Sequence, residues 1–158
     1  MQTFLPYPSL RRSVEALDNR RLGKQRSETK IILKCLYGVY TTRAWQNHPA
    51  VRMWRGYEYA LTAYYNLCIQ EWVRRGNKNN MLRAAISDPL TKDLLPPWFG
   101  GAIHASHRAA LLYKAAVREF NTGYDDELGW YSQFGWRETI NSAEVIAGGS
   151  FRHYYWPR

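Results

Sequence analysis

The chain has 158 residues, 46% hydrophobic and 22% charged, and Lys+Arg 22 against Asp+Glu 13 leave a net charge of +9. That composition excludes a disordered polymer; no apolar run is long enough to cross a bilayer, and the N-terminus lacks the cationic-then-apolar pattern of a signal peptide. The basic surplus, with a pI near 9.7, points to a polyanionic partner, nucleic acid first.

The pattern reads as all-α: a single compact helical domain over residues 1–158, with the N-terminal arm tucked in. Pro6 and Pro8 bar a helix from the opening residues, so these form an extended arm anchored by Phe4 and Leu5. Residues 9–17 read as a short helix with Ser9 as N-cap. The main first helix is expected at about 20–36, with Gly38 as its stop. Gly23 inside it marks a weak point or a place of close approach. Residues 39–49 read as a loop carrying Arg43, Trp45 and Asn47-His48-Pro49. A long helix is expected at about 50–75, on the three-to-four spacing of Trp54, Tyr57, Leu61, Tyr64, Tyr65, Cys68 and Trp72, and Gly76 stops it. A polar turn at 77–80 leads to a short helix at 81–86, and Pro89, Pro96 and Pro97 bracket a connection. Another helix is expected at about 103–120. The tail is aromatic, with Trp130, Tyr131, Phe134, Trp136, Phe151, Tyr154, Tyr155 and Trp156, and residues 137–158 read as an extension. Cys35 and Cys68 fall in apolar helical patterns with no metal spacing and read as reduced core thiols of a cytosolic protein.

Candidate chemistry concentrates in residues 17–28. Arg21, Lys24 and Glu28 are spaced at three, four and seven residues, which puts them on one helical stripe. Beyond Glu28 that stripe turns apolar through Ile31, Ile32 and Cys35, so Glu28 sits where a basic surface meets a buried one. Burial favours the neutral form of a carboxyl and nearby cations its charged form, and that competition tunes acid/base groups. A plain surface ion pair of Lys24 with Glu28 is the alternative. Arg20, Arg21, Lys24, Arg26 and Lys30 crowd this helix, and Arg43, Arg52, Arg55, Arg74, Arg75 and Arg108 add the cation density that phosphate contacts need. His104 and His107 lie three apart near a helix start with no third ligand, so they are expected to face solvent or phosphate rather than a metal. His48 reads as a loop or capping residue. No triad, P-loop or dinucleotide motif is present.

Several pieces recur together: Leu17-Asp18 with Leu22 and Glu28; Asn47-His48-Pro49; Glu71-Trp72-Val73-Arg74-Arg75-Gly76-Asn77; and Trp130-Tyr131 with Gly135. Behind a tucked arm, their order and spacing resemble the pyrimidine-dimer DNA glycosylases, the small endonuclease V-type enzymes that cut at ultraviolet photoproducts. The resemblance runs from residue 1 to about 136. It implies a compact helical monomer acting on double-stranded DNA that contains a lesion, without a metal or other cofactor. It implies two linked activities, glycosylase and apurinic/apyrimidinic lyase, in a cytoplasmic, nucleoid-associated enzyme of bacterial or phage origin.

The resemblance also implies roles. The family's nucleophile is the α-amine of the mature N-terminus, and Met1 would carry it here because the bulky Gln2 blocks removal of an initiator methionine. Glu28 falls on the family's acid/base glutamate. An α-amine, with a reference pKa of about 7.7–8.0, is partly neutral near pH 7, whereas an unperturbed lysine near 10.4 is not. The expected DNA-binding residues are Gln2, Arg20, Arg21, Lys24, Arg26, His48, His107 and Arg108. The chain departs from the family pattern at Gln2, where an arginine is usual, at Arg21, which replaces a DNA-holding histidine, and at Ser27, where a cation usually precedes the glutamate. These departures leave open another modified pyrimidine, or an abasic site alone, as substrate. Two rival readings are a DNA-binding module without catalysis and a metal-dependent nuclease using His104 and His107.

Overall fold

The structure, a computed structural model, describes residues 1–86, 94–122, 126–138 and 156–157. Seven helices and no strand occur among the described residues, so the architecture is all-α. Pro89, Phe151, Tyr154, Tyr155 and most of the 137–158 stretch lie outside them.

The helices begin and end where side chains and glycines satisfy their free backbone groups. Ser9 opens α1 (Leu10–Glu15), its hydroxyl accepting from Arg12 N. Asp18 opens α2 (Asn19–Leu36), with Oδ1 2.8 Å from Arg21 N. Gly38, at φ +74°, ends that helix in the left-handed region that favours glycine. Two short helices, α3 (Arg43–Gln46) and α4 (Pro49–Arg52), lead to α5 (Glu58–Arg74), and α6 (Ile103–Thr122) and α7 (Glu127–Ser132) follow.

The core forms where α2 and α5 pack against each other. Helix α2 buries Leu22, Thr29, Ile32, Leu33 and Cys35. Helix α5 buries Leu61, Tyr64, Tyr65, Cys68 and Ile69. Gly23 is the point of close approach: a Cβ there would stand 3.1 Å from Cζ3 of Trp72. The arm enters this core. Gln2 to Pro6 are all buried, and Phe4 and Leu5 join the apolar cluster, each worth about 1.5–3 kcal/mol on burial.

Two expected helices differ. The helix expected over 50–75 is broken between α4 and α5, where Gly56 takes φ +85° and its N–H donates to Glu58 Oε1 at 2.9 Å. The break lets Trp54 sit fully buried beneath the arm, with Nε1 2.9 Å from Thr3 Oγ1 and its ring edge-on to Trp98. The apolar spacing runs through the break, which is why periodicity alone reads one helix. Residues 81–86 form no helix at all. Their backbone pairs with α5 instead: Asn66 holds both the N–H and the C=O of Ala84 at 2.8 Å, and the Tyr65 hydroxyl donates to Leu82 O at 2.8 Å. Residues 39–49 are also less irregular than expected, since α3 lies within them.

No helix among the described residues is long and apolar enough to cross a membrane. Cys35 and Cys68 are buried free thiols.

Candidate active site

An extended arm in a helical core has no strand partner, so its buried backbone groups need side chains. Gln25 on α2 supplies two of them. Its Oε1 accepts from Phe4 N at 2.9 Å and its Nε2 donates to Gln2 O at 3.0 Å. The Tyr64 hydroxyl on α5 reaches both Phe4 O, at 2.8 Å, and Gln25 Oε1, at 2.9 Å. From α6, His107 Nδ1 accepts from Leu5 N at 2.9 Å, and His104 Nδ1 lies 2.7 Å from Leu5 O. The Leu5 carbonyl can only accept, so Nδ1 of His104 carries the proton, and its Nε2 accepts from Gly100 N at 2.8 Å.

This framework delivers Met1 to a pocket of about 220 Å³ lined by Met1, Gln2, Phe4, Arg21, Lys24, Gln25, Glu28 and Lys114. Its volume equals roughly seven waters at ~30 Å³ each, enough for a single sugar or base. Glu28 is half-buried and its Oε2 accepts from Gln25 Nε2 at 3.3 Å. The arm, α2 and α6 therefore bring an amine-bearing residue, a carboxylate and three cationic side chains to one concavity.

The remaining expected residues divide. Arg21 lines the pocket, and its Nη2 donates to buried Glu127 Oε2 at 3.1 Å. Arg20 is half-exposed, with Nε 3.9 Å from Glu127 Oε1. Burial raises the pKa of Glu127 despite both cations. Lys24 is exposed at the pocket edge. Arg26 turns away from it: its guanidinium stacks 4.0 Å above the Trp72 ring and donates to Asn79 Oδ1 at 2.8 Å. His48 caps α4, accepting from Ala50 N at 3.1 Å, with its ring edge-on to Trp156. Burial lowers its pKa, and so does the positive N-terminus.

Three expectations need correction. Gln2 is 6% exposed, with its Oε1 turned back to Thr3 N and its amide 3.3 Å from His107 Nε2. His107 is fully buried and His104 nearly so, which keeps both from solvent and phosphate. Their ring nitrogens serve the arm, and burial first, then neighbouring His104, lowers the His107 pKa to about 3. Arg108 likewise faces the arm, donating to Pro6 O at 2.7 Å and to Glu138 Oε1 at 2.8 Å. His107 and Arg108 pair with backbone N–H and C=O groups of the buried arm, which has no strand partner to satisfy them.

Sequence reading missed Gln25 and Lys114. Gln25 is a polar residue on the buried face of α2, between Leu22 and Thr29, and a fully buried glutamine is a signal once the face is known. Lys114 lies in α6, eighty-six residues after Glu28, and nothing in its neighbourhood marks it. Glu71 was matched as part of a motif without a role, and Arg75 was counted among the cations for phosphate contacts. Glu71 is buried and accepts from Arg74 and Arg75, and Arg75 also donates to Leu17 O at 2.8 Å and Glu15 O at 2.9 Å. That cluster seats the end of α5 on the turn preceding α2, and hence positions Glu28's helix. On the other side of the same turn, the Tyr131 hydroxyl makes a short hydrogen bond to Asp18.

Among the described residues, no group of three or more His, Cys, Asp or Glu is arranged to hold a metal ion. Searches of curated proteins and of solved structures return no match. A family model for pyrimidine dimer DNA glycosylase matches residues 1–84, the span that holds the arm, α2 with Gln25 and Glu28, and α5 with Glu71 and Arg75. The match covers more than half of the chain, which therefore belongs to the pyrimidine dimer DNA glycosylase family.

Proposed function

We propose that this chain acts as one domain, and as a monomer, to excise a damaged pyrimidine from duplex DNA and then cut the strand as an apurinic/apyrimidinic lyase. The proposed substrate is a cyclobutane pyrimidine dimer. Met1 supplies the nucleophile through its α-amine, and Glu28 is the acid/base. Arg20, Arg21 and Lys24 hold phosphates beside the lesion, and Arg26 and His48 border the DNA further out. Gln2, His107 and Arg108 act through the arm, as positioning residues.

The observation that supports this reading is the convergence of Met1, Glu28, Arg21 and Lys24 on one pocket, with the arm held by buried hydrogen bonds. Ordering the chain terminus in advance removes an entropy cost from the attack. The neutral amine attacks C1′ of the damaged nucleotide and the glycosidic bond breaks, its electrons leaving with the base. The Glu28 carboxylate stabilises the positive charge developing on the sugar. The attached amine gives one proton to Glu28, its lone pair then forms the C1′=N bond as the C1′–O4′ bond breaks, and O4′ takes the proton back from Glu28, leaving a protonated imine between Met1 and C1′. Glu28 then accepts a C2′ proton, a C2′=C3′ double bond forms, and the 3′ phosphate departs with the C3′–O electrons. Water hydrolyses the imine and frees the amine. A target base stacked in a duplex must first be exposed, and the surrounding cations favour the bent, unstacked DNA by holding its phosphates.

The test is borohydride trapping with untagged protein on duplexes carrying a thymine dimer, an abasic site or no lesion. An adduct on dimer DNA that maps to Met1 is expected. An adduct on abasic DNA alone keeps the lyase and removes the dimer assignment. No adduct on either, from folded protein that still binds DNA, overturns the catalytic reading.

A further inference from the structure

The pocket that holds Met1 and Glu28 contains a second amine. Lys114 reaches it from α6, while Arg21, Lys24, Gln25 and Glu28 come from α2 and Met1 from the arm. We propose that Lys114 is a second imine-forming amine of this site, whose Nζ condenses with the C1′ aldehyde of a ring-opened abasic deoxyribose lodged in the pocket. The inference rests on the lyase reading and extends it to abasic sites that arise without any glycosylase step.

The first argument is geometric. The cavity has room for about one sugar, so an aldehyde inside it lies against walls to which both Met1 and Lys114 contribute. The second concerns the state of the amine. An ordinary lysine near 10.4 is almost wholly protonated at neutral pH and is no nucleophile. Lys114 is half-buried, and burial first, then the positive charges of Arg21 and Lys24, push it down to about 8, against the opposing pull of Glu28. Roughly a quarter of such an amine is neutral at pH 7.5. Desolvation beside other cations is a recognised way to activate a lysine for imine chemistry. A third argument comes from the neighbours. Arg21 and Lys24 already bring positive charge to the pocket, so a phosphate there has cationic partners without the Lys114 ammonium.

The chemistry balances without any outside reagent. Neutral Nζ adds to C1′ and gives a carbinolamine; the protonated Glu28 carboxyl gives its proton to the carbinolamine hydroxyl, which leaves as water, so that a protonated imine and the Glu28 carboxylate result. The Glu28 carboxylate takes a C2′ proton, the C–H electrons form the C2′=C3′ bond, and the 3′ phosphate leaves with the C3′–O electrons. Water then hydrolyses the imine, releasing the unsaturated aldehyde and restoring Lys114. No group is oxidised or reduced.

The experiment compares four forms of the full chain on a duplex with one abasic site: wild type, Lys114→Arg, N-terminally acetylated wild type, and N-terminally acetylated Lys114→Arg. Acetylation is achieved by co-expressing an N-terminal acetyltransferase, which leaves lysine side chains free. Borohydride traps the imine, and proteolysis with mass spectrometry locates it. The acetylated wild type is expected to keep trapping, about ten- to a hundredfold more slowly than the free chain, with the adduct on Lys114. The acetylated Lys114→Arg form, which retains a cation but cannot form this imine, is expected to fall to background. No trapping by the acetylated wild type, while the free chain traps at Met1, overturns the inference and leaves the lyase reading intact. A residual adduct on another lysine, such as Lys24, also overturns it. An adduct on Lys114 but never on Met1 in the free chain supports it and removes the Met1 assignment. No adduct in any form overturns the lyase reading and this inference with it.

Discussion

Gln25 precedes Glu28 by three residues on α2, and its side-chain nitrogen lies 3.3 Å from Glu28 Oε2. The same nitrogen donates to the Gln2 carbonyl at 3.0 Å, and the oxygen of that amide accepts from Phe4 N at 2.9 Å. One side chain therefore sets the position of the arm and of the carboxylate together. In the Gln25→Ala variant the buried Phe4 N–H loses its acceptor, at a cost of about 1–3 kcal/mol for the unsatisfied donor. Urea unfolding should show that loss. Strand cleavage should fall more than DNA affinity, because the cations proposed to hold phosphates remain. Gln25→Glu keeps the size but cannot donate to Gln2 O or Glu28, and should behave no better. Full cleavage by either variant would show that the arm finds its place without Gln25.

Glu28 itself carries the proposed proton transfers. Removing the carboxylate as Glu28→Gln keeps the shape and a hydrogen-bonding side chain. Strand cleavage should drop by about 10²–10⁴-fold, the range general acid–base groups supply. Binding to lesion DNA, measured by gel shift at fixed salt, should change little.

The paired histidines predict an arm that loses its hold in acid. His107 accepts from Leu5 N, which requires an unprotonated Nδ1, and its pKa is lowered to about 3 from an unfolded value near 6.5. Between those values the unfolded chain binds a proton that the folded chain does not, so stability falls as pH falls through that window. At ~1.4 kcal/mol per pH unit, the window is worth on the order of 5 kcal/mol when fully traversed. His104, also lowered by burial, adds in the same direction. Thermal midpoints measured from pH 7 to pH 4 should decline, and the decline should be shallower in His107→Gln. A flat profile in the wild type would mean the ring is not held neutral.

Glu71 supports the site from a distance. Burial pushes its carboxyl up, but hydrogen bonds from Arg74 and Arg75 outweigh this and hold it below the usual glutamate range. Its contribution to stability is present above the unfolded pKa and is lost as pH falls through the lower folded value. Glu71→Ala leaves Arg75, itself mostly buried, without its anion and should cost about 3–5 kcal/mol. Denaturant unfolding checks the magnitude, and a loss within error of zero would show that the Arg75 bonds to Leu17 O and Glu15 O suffice.

The helical architecture could be read from local patterns because its determinants are local. Ser9 opens α1 as expected, and Gly38 and Gly76 take positive φ where helices end. Asp18 caps α2, whose first residue, Asn19, lies one before the expected start. The tucked arm followed from two prolines and two apolar anchors. Local patterns failed where distant residues compete for the backbone. Asn66 draws Ala84 into pairing with α5 and prevents a helix at 81–86. Trp54 reaches Thr3 through a break that apolar spacing conceals.

For the site, the sequence by itself determined the composition of α2: cations and Glu28 on one stripe, set by the 3.6-residue turn. Only the tertiary structure decided what meets that stripe. It turned His104, His107 and Arg108 inward, because a strandless arm carries unpaired backbone groups that buried side chains must satisfy. It also brought Lys114 to the same pocket as Met1 and Glu28 across a long stretch of chain. The spacing of residues along one helix is a property of the chain. The burial and neighbouring charges that make an amine reactive come from other segments, and exist only once those segments are packed together.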